Sequence, residues 1–377
     1  VTIAAPTAIS GSGAVTSSYH GSQLSCATAS DGQITVTATG GTMNLSYSLN
    51  GGAYQSSNVF NGLSAGRYGI TIKDSNNCVF YTDSVTITAP AAISGSGVAK
   101  SYNGSTLSCA TATDGQITVT ATGGTGDLSY SLNGGTYQRS NVFSGLGAGR
   151  YGITIKDSNN CVFYTDSVTI AAPAAIGGSG AVTSSYHGSQ LSCATASDGA
   201  ITVTATGGTA PLSYSIDGGA YQINNVFTGL GAGNHTLSVK DVNGCTYAPA
   251  DVEITAPASI SGAGAVSSNY HGSDLSCATS TDGAITVTAT GGTMNLSYSL
   301  NGAAYQSSNV FSGLGAGRYG ITVRDSNNCV FRADSVTIAA PTAISGSGAV
   351  TSSYHGSQLS CATASDGQIT VTATGGT

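Results

Sequence analysis

Tryptophan is absent from these 377 residues, and Asp, Glu, Lys and Arg together make up only 7%. Lysine is scarce and the formal net charge is −7, so a basic surface for nucleic acid is not expected. Disorder is excluded for a different reason. It needs low hydrophobicity with high net charge, and here 40% of residues are hydrophobic and alternate in order. No segment keeps helical spacing over ten or more residues. There is no GxSxG, no HExxH, no P-loop and no GxGxxG leading into a helix, so no catalytic or cofactor motif is present and no cofactor is expected. The cysteines form no CxxC, and the His residues do not cluster with them, which argues against zinc. No signal peptide, membrane span or anchor is visible.

What is present is a period. Cys26, Cys109, Cys193, Cys277 and Cys361 mark it, and Cys78, Cys161, Cys245 and Cys329 keep the same step. Pro6, Pro90, Pro173, Pro257 and Pro341 close each unit with the same I(T/A)AP ending. Residues 1–42 are identical to residues 336–377. The reading is a tandem array with a unit of about 84 residues. Residues 1–6 end a preceding repeat; 7–90, 91–173, 174–257 and 258–341 are four repeats; 342–377 begin a fifth. Both ends are expected to be cut from something longer. Nine cysteines cease to be odd, because each repeat carries two and Cys361 lies in a half-repeat. Paired cysteines in small units read as disulfides in an oxidising compartment.

Within residues 7–90, alternation marks strands at 9–15, 33–39, 45–49, 67–74 and 78–87, with a weaker edge segment at 53–60. Asp31-Gly32, Gly40-Gly41 and the NGG at 50–52 read as turns. About seven short strands per unit give an all-β fold, a tandem array of immunoglobulin-like or fibronectin III-like β-sandwich repeats. Tyr68, Tyr151 and Tyr319, each in an LxAGRY segment, have the spacing of a tyrosine corner, and the third repeat places His235 there. The single His of most units (His20, His187, His271, His355) lies in a YHGS turn and reads as a solvated loop residue; the second repeat has Asn103 instead. The "KDSNN" at 73–77 is a poor calcium loop and reads as an Asx-type turn.

The ordered set C…DG(Q/A)ITVTATGGT…LSYSL(N/D)GG…GLxAGRYGITIKDSNNC…VTIAAP resembles the SprB-type repeat of Bacteroidetes gliding-motility adhesins and related surface proteins. The resemblance covers every unit. It implies a β-sandwich repeat, export by type IX secretion and residence at the cell surface or in a secreted filament, and it implies no catalysis. The DSV triplets at Ser84, Ser167 and Ser335 resemble the O-glycosylation acceptor of exported Bacteroidetes proteins. An ordinary strand with polar alternation is the favoured reading of the same residues.

Two disulfide schemes compete. Pairing within repeats joins Cys26 to Cys78, Cys109 to Cys161, Cys193 to Cys245 and Cys277 to Cys329. Pairing between repeats joins Cys26 to Cys161, Cys109 to Cys245 and Cys193 to Cys329, and sends Cys78, Cys277 and Cys361 to partners outside this segment. Strand direction favours the second, since it puts the early and late cysteines of one sandwich at opposite poles, beyond the ~7 Å that a disulfide allows between Cα atoms. Function is accordingly read as a structural or adhesive segment of a long surface or filament protein, a disulfide-stabilised stiff rod. Its partners would be neighbouring repeats and other copies in a fibre. The alternatives are a multivalent module array binding glycans or surfaces, with Tyr54, Tyr137, Tyr221 and Tyr305 as an aromatic stripe, or a spacer in a secreted multidomain enzyme.

Overall fold

The computed structural model describes residues 1–376, which are all-β. The first repeat shows the plan. Strands β1 (Ser10–Val15), β2 (Gly32–Thr39) and β4 (Val59–Leu63) form one sheet in the order β1-β2-β4. Strands β3 (Ser46–Leu49), β6 (Ile70–Lys73) and β7 (Val79–Tyr81) form the second, in the order β3-β6-β7; β5 (Gly66–Tyr68) pairs with β8 (Val85–Ile87). All pairings are antiparallel. Ile34 lies opposite Val15 and Phe60, and Tyr47 lies opposite Ile72.

Alternation places Ile34 and Val36 on the inner face of the first sheet and Ile70 and Ile72 on that of the second. With Leu24, Tyr47 and Ile87 they form a buried core. On the inner face of β1, Val15 packs against the core but Gly11 and Gly13 carry no side chain. A Cβ at Gly13 would lie 2.2 Å from Ile70 Cδ1, so the two layers approach too closely there for even a methyl group.

Two segments read from the sequence as single strands are each broken in two. Residues 67–74 part at Gly69, whose N–H leaves the ladder and donates to Asn50 Oδ1 at 2.8 Å. Residues 78–87 part at Thr82–Ser84, where Thr82 N–H still reaches the Ile70 carbonyl at 3.1 Å. In the fourth repeat the corresponding strands, Gly317–Arg324 and Val330–Ile338, run unbroken, with a register shift between Tyr319 and Ile321. The edge segment at 53–60 contributes only its end to β4; Gln55 makes an isolated bridge to Tyr47.

The chain forms two compact units. One comprises Val1–Ile176 with Gly207–Leu212 and Asp241–Thr246. It contains the first two repeats, the second built on a core of Leu107, Ile117, Val119, Tyr130, Ile153, Ile155 and Ile170. The other comprises Gly177–Thr206, Ser213–Lys240 and Tyr247–Thr377. It contains a buried set from the third repeat, including Leu191, Ile201, Val203 and Val239, and the core of the fourth, including Leu275, Ile285, Val287 and Val323. Strands Ser345–Val350 and Ile369–Thr374 pair with each other in this unit.

Candidate functional site at the junctions between repeats

Each repeat presents two preformed loops, one carrying its early cysteine and one its late cysteine. The early loop starts at a tight turn. Tyr19 and Ser22 exchange backbone hydrogen bonds, while His20 and Gly21 between them take φ of 47° and 90°, the double positive φ of a type I′ turn. Tyr19 OH donates to the Asp31 carbonyl at 3.1 Å, and Asp31 Oδ1 accepts from Ser25 N–H at 3.2 Å. Leu24, fully buried, anchors the loop to the core beneath. Cys26 therefore sits on backbone fixed from both sides.

The late loop is built around a buried aspartate. In the second repeat Asp157, 3% exposed, accepts from Asn159 N–H and Cys161 N–H through Oδ1 and from Thr125 N–H through Oδ2, each at 2.9 Å. A carboxylate that satisfies three backbone donors turns the D-x-N-x-C segment into a rigid hook.

These loops meet. Asn159 Nδ2 donates to the Ser25 carbonyl at 3.1 Å, and His20 Nδ1–H donates to Asn159 Oδ1 at 2.6 Å. Beside them Cys26 and Cys161 are bonded, with Cα atoms 5.7 Å apart. The arrangement recurs. Asn243 Nδ2 donates to the Ser108 carbonyl at 3.1 Å and accepts from Asn103 Nδ2 at 2.6 Å beside the Cys109–Cys245 bond. In the other unit Asn327 Nδ2 donates to the Ser192 carbonyl at 3.0 Å and accepts from His187 Nδ1–H at 2.5 Å beside Cys193–Cys329. A cleft of about 290, 160 and 250 Å³ lies against the three bonds in turn, walled by the Pro-Ala linker and the Ile after it. Cys78, Cys277 and Cys361 are exposed thiols in this chain.

Asp31, Asp74, Asp114, Asp198 and Asp282 are held toward their charged form. Hydrogen bonding from Ser108, Ser192 and Ser276 lowers the pKa of Asp114, Asp198 and Asp282, against a smaller opposing effect of burial. At Asp31 burial acts upward and is outweighed by the hydrogen bonds from Ser25. Asp74 is lowered by the Cys78 N–H above all.

His20 and His187 are not the free loop residues expected from the sequence. Both are solvent-accessible, yet each closes a contact to the following repeat, because a residue in the left-handed region points its side chain out of the turn toward the incoming loop. In the sequence alone the asparagines that join the loops look like ordinary turn residues. A signal existed: the late loop varies between KDSNN, KDVNG and RDSNN, and Asn76, Asn159, Asn243 and Asn327 never change.

The remaining candidates lie elsewhere. Tyr68, Tyr151 and Tyr319 donate their hydroxyls to the carbonyl four residues back, at 2.8, 3.0 and 3.0 Å. His235 reaches the equivalent Gly231 carbonyl at 3.2 Å and pairs with Asp217 at 2.8 Å. Ser84, Ser167 and Ser335 are half-buried, and their hydroxyls accept from Arg67, Arg150 and Arg318. Tyr54, Tyr137, Tyr221 and Tyr305 each lie under a cation, Lys73, Lys156, Lys240 and Arg324, at 4.0–4.2 Å from the ring centre. Among the described residues no group of three or more His, Cys, Asp or Glu is placed to hold a metal.

The SprB repeat family matches residues 21–54, 105–137, 188–221, 272–304 and 356–377; each match contains one early cysteine and the strand after it. None of the curated proteins compared with the chain matches it. Among solved structures the chain is similar to the fibronectin(III)-like modules of Clostridium thermocellum CbhA, at 12% identity over 42% of this chain and 94% of that one, with a TM-score of 0.20. It is similar to domains 4–9 of surface layer protein SbsC, at 15% identity over 92% and 69%, TM-score 0.20. It is also similar to titin domains A168–A170, at 12% identity over 66% and 99%, TM-score 0.22. Scores of this size carry no argument about what this chain does. The family matches recur with the cysteine period, so that five SprB repeats are detected along the chain.

Proposed function

We propose that this chain is a non-catalytic, load-bearing segment of a repetitive extracellular surface or filament protein, in which each repeat is stitched to the next. One observation carries the reading: Cys26–Cys161, Cys109–Cys245 and Cys193–Cys329 join successive repeats across sequence separations of 135, 136 and 136. A bond closing a loop of that length stabilises by about 5 kcal/mol on the chain-entropy account, and disulfides of this kind persist outside the cytosol. The SprB repeats support the same placement. Stiffness follows, because a junction fixed by a covalent bond and by the hydrogen bonds of one Asn cannot hinge without breaking them.

Single-molecule stretching tests it. With all three bonds closed, the covalent path under load runs through residues 1–26, 161–193 and 329–377 only. Drawn out fully it reaches on the order of 400 Å, against on the order of 1,300 Å for the reduced chain, at ~3.5 Å per residue. An oxidised chain that extends as far as the reduced one would remove the reading.

A further inference from the structure

Both halves of the junction keep their shape where this chain provides no mate. In the fourth repeat, His271 has φ of 48°, Tyr270 OH donates to the Asp282 carbonyl at 3.1 Å, and Ser276 N–H donates to Asp282 Oδ1 at 3.3 Å. These match the bonded early loops, where His20 and His187 have φ of 47° and 49°. Beside Cys277 the cleft is about 450 Å³, larger than at any of the three closed junctions. The late loop of the first repeat is equally ready: Asp74 Oδ1 accepts from Asn76 N–H and Cys78 N–H at 2.9 Å, and both thiols are exposed. Mating therefore does not create these loop shapes. It joins two rigid parts whose ordering cost was met in folding each repeat.

We propose that the early loop is a socket that recognises a D-x-N-x-C loop through the Asn side chain, and that this recognition, before any sulfur chemistry, decides which cysteines pair. The open socket at Tyr270–Cys277 is thus a docking surface for the D-x-N-x-C loop of another repeat. The asparagine is a positioning residue. Its carboxamide donates to the socket carbonyl (Ser25, Ser108 or Ser192) and accepts from the turn residue (His20, Asn103 or His187), which places the sulfurs side by side. Without it, loops of nearly identical sequence present interchangeable thiols. The inference deepens the load-bearing reading by naming what each end accepts.

Two measurements test it. In the reduced full chain carrying Asn159→Ala, refolded with oxidised glutathione, Cys26–Cys161 should form in lower yield than in the parent, while Cys193–Cys329 in the same molecule forms normally. In each closure two thiols are oxidised and one glutathione disulfide is reduced to two thiols. Peptide mapping without reductant reads both bonds. Second, a copy of the chain carrying Cys277→Ser and Cys361→Ser, with its three disulfides closed and Cys78 activated as a 2-pyridyl disulfide, is offered to the oxidised parent chain. The Cys277 thiolate of the parent attacks the activated Cys78 sulfur, the new S–S bond forms, and 2-thiopyridone leaves with the electron pair. Rates are normalised to a small pyridyl disulfide, which removes differences in intrinsic thiol reactivity. Cys277 of the parent should exceed Cys78 of the parent by about tenfold, the worth of one lost pair of hydrogen bonds, and Asn76→Ala in the activated copy should erase the preference. Parent-level Cys26–Cys161 in the Asn159→Ala chain, or equal normalised rates at Cys277 and Cys78, overturns the proposal. The stretching limits above would stand either way.

Discussion

At the scale of single residues, two aspartates and an asparagine do most of the work at a junction. Each uses a side chain to satisfy backbone donors or acceptors that a loop would otherwise leave to water. The third repeat supplies a variant of the tyrosine corner with a pH dependence of its own. Burial pulls the His235 pKa down, but hydrogen bonds to Asp217 and the Gly231 carbonyl and the attraction of the Asp217 charge outweigh it, so the net shift is upward. Asp217 is shifted down, chiefly by its hydrogen bond to His235. A group whose folded pKa is raised contributes stability that is complete below its unfolded pKa and is lost as pH rises through the folded one. The amide exchange of Thr236, whose N–H donates to Asp217, should therefore accelerate, beyond its intrinsic pH dependence, as pH is raised from about 6 through 8. Gly320, at the same place in the fourth repeat, faces Tyr319 and an Asn and should show no such step. A His235→Tyr chain that kept the step would exclude this cause.

At the scale of elements, the sandwich depends on how closely its layers meet. Gly264, like Gly13, has no room for a methyl group: its Cβ would lie 2.1 Å from Ile321 Cδ1. Gly264→Ala should destabilise the fourth repeat by about 1–3 kcal/mol, the usual range for overpacking. Amide exchange in Ile285 and Val323 would report it, and an unchanged rate would mean that the sheets can part freely. The early loops carry an acid sensitivity with the opposite sign from His235. Asp114 and Asp198 have lowered pKa values, so their contribution is present above about pH 4 and is lost as pH falls through the folded values. Protection of Ser108 and Ser192 N–H, which donate to these carboxylates, should decline below pH 4 before the core amides open. Strand positions were legible in the alternation of Ile34-Val36 and Ile70-Ile72, since a half-buried strand writes its pleat into the sequence. The break at Gly69 was not: Asn50 reaches its N–H from a different turn, yet Asn301 does the same at Gly320 and that strand runs unbroken, so no local residue pattern marks the break.

At the scale of the whole molecule, the order of the disulfides makes their mechanical weights unequal. Load passes from Cys26 to Cys161 and onward to Cys193 without using the middle bond. Replacing Cys109 and Cys245 by Ser should leave the maximum extension unchanged. Replacing Cys26 and Cys161 by Ser reroutes the path through the middle bond and should lengthen it to on the order of 700 Å, at ~3.5 Å per residue. Force–extension curves of the two double variants decide this, and equal lengthening in both would contradict the connectivity.

The amino-acid sequence by itself determined the period, the all-β character and the positions of most strands. These are encoded locally, in alternation, in turn residues and in the even recurrence of cysteine and proline. Tertiary structure decided between the two cysteine pairings, of which strand direction had favoured the one formed, and it alone decided why His20 is tied to Asn159 and why one Asn in each late loop never varies. A flexible chain can close a separation of 52 residues or of 135 at similar entropic cost, because that cost grows only with the logarithm of length. The choice is made by folded repeats that place one loop at each pole, and that placement is a property of the packed sandwich and not of any window of sequence.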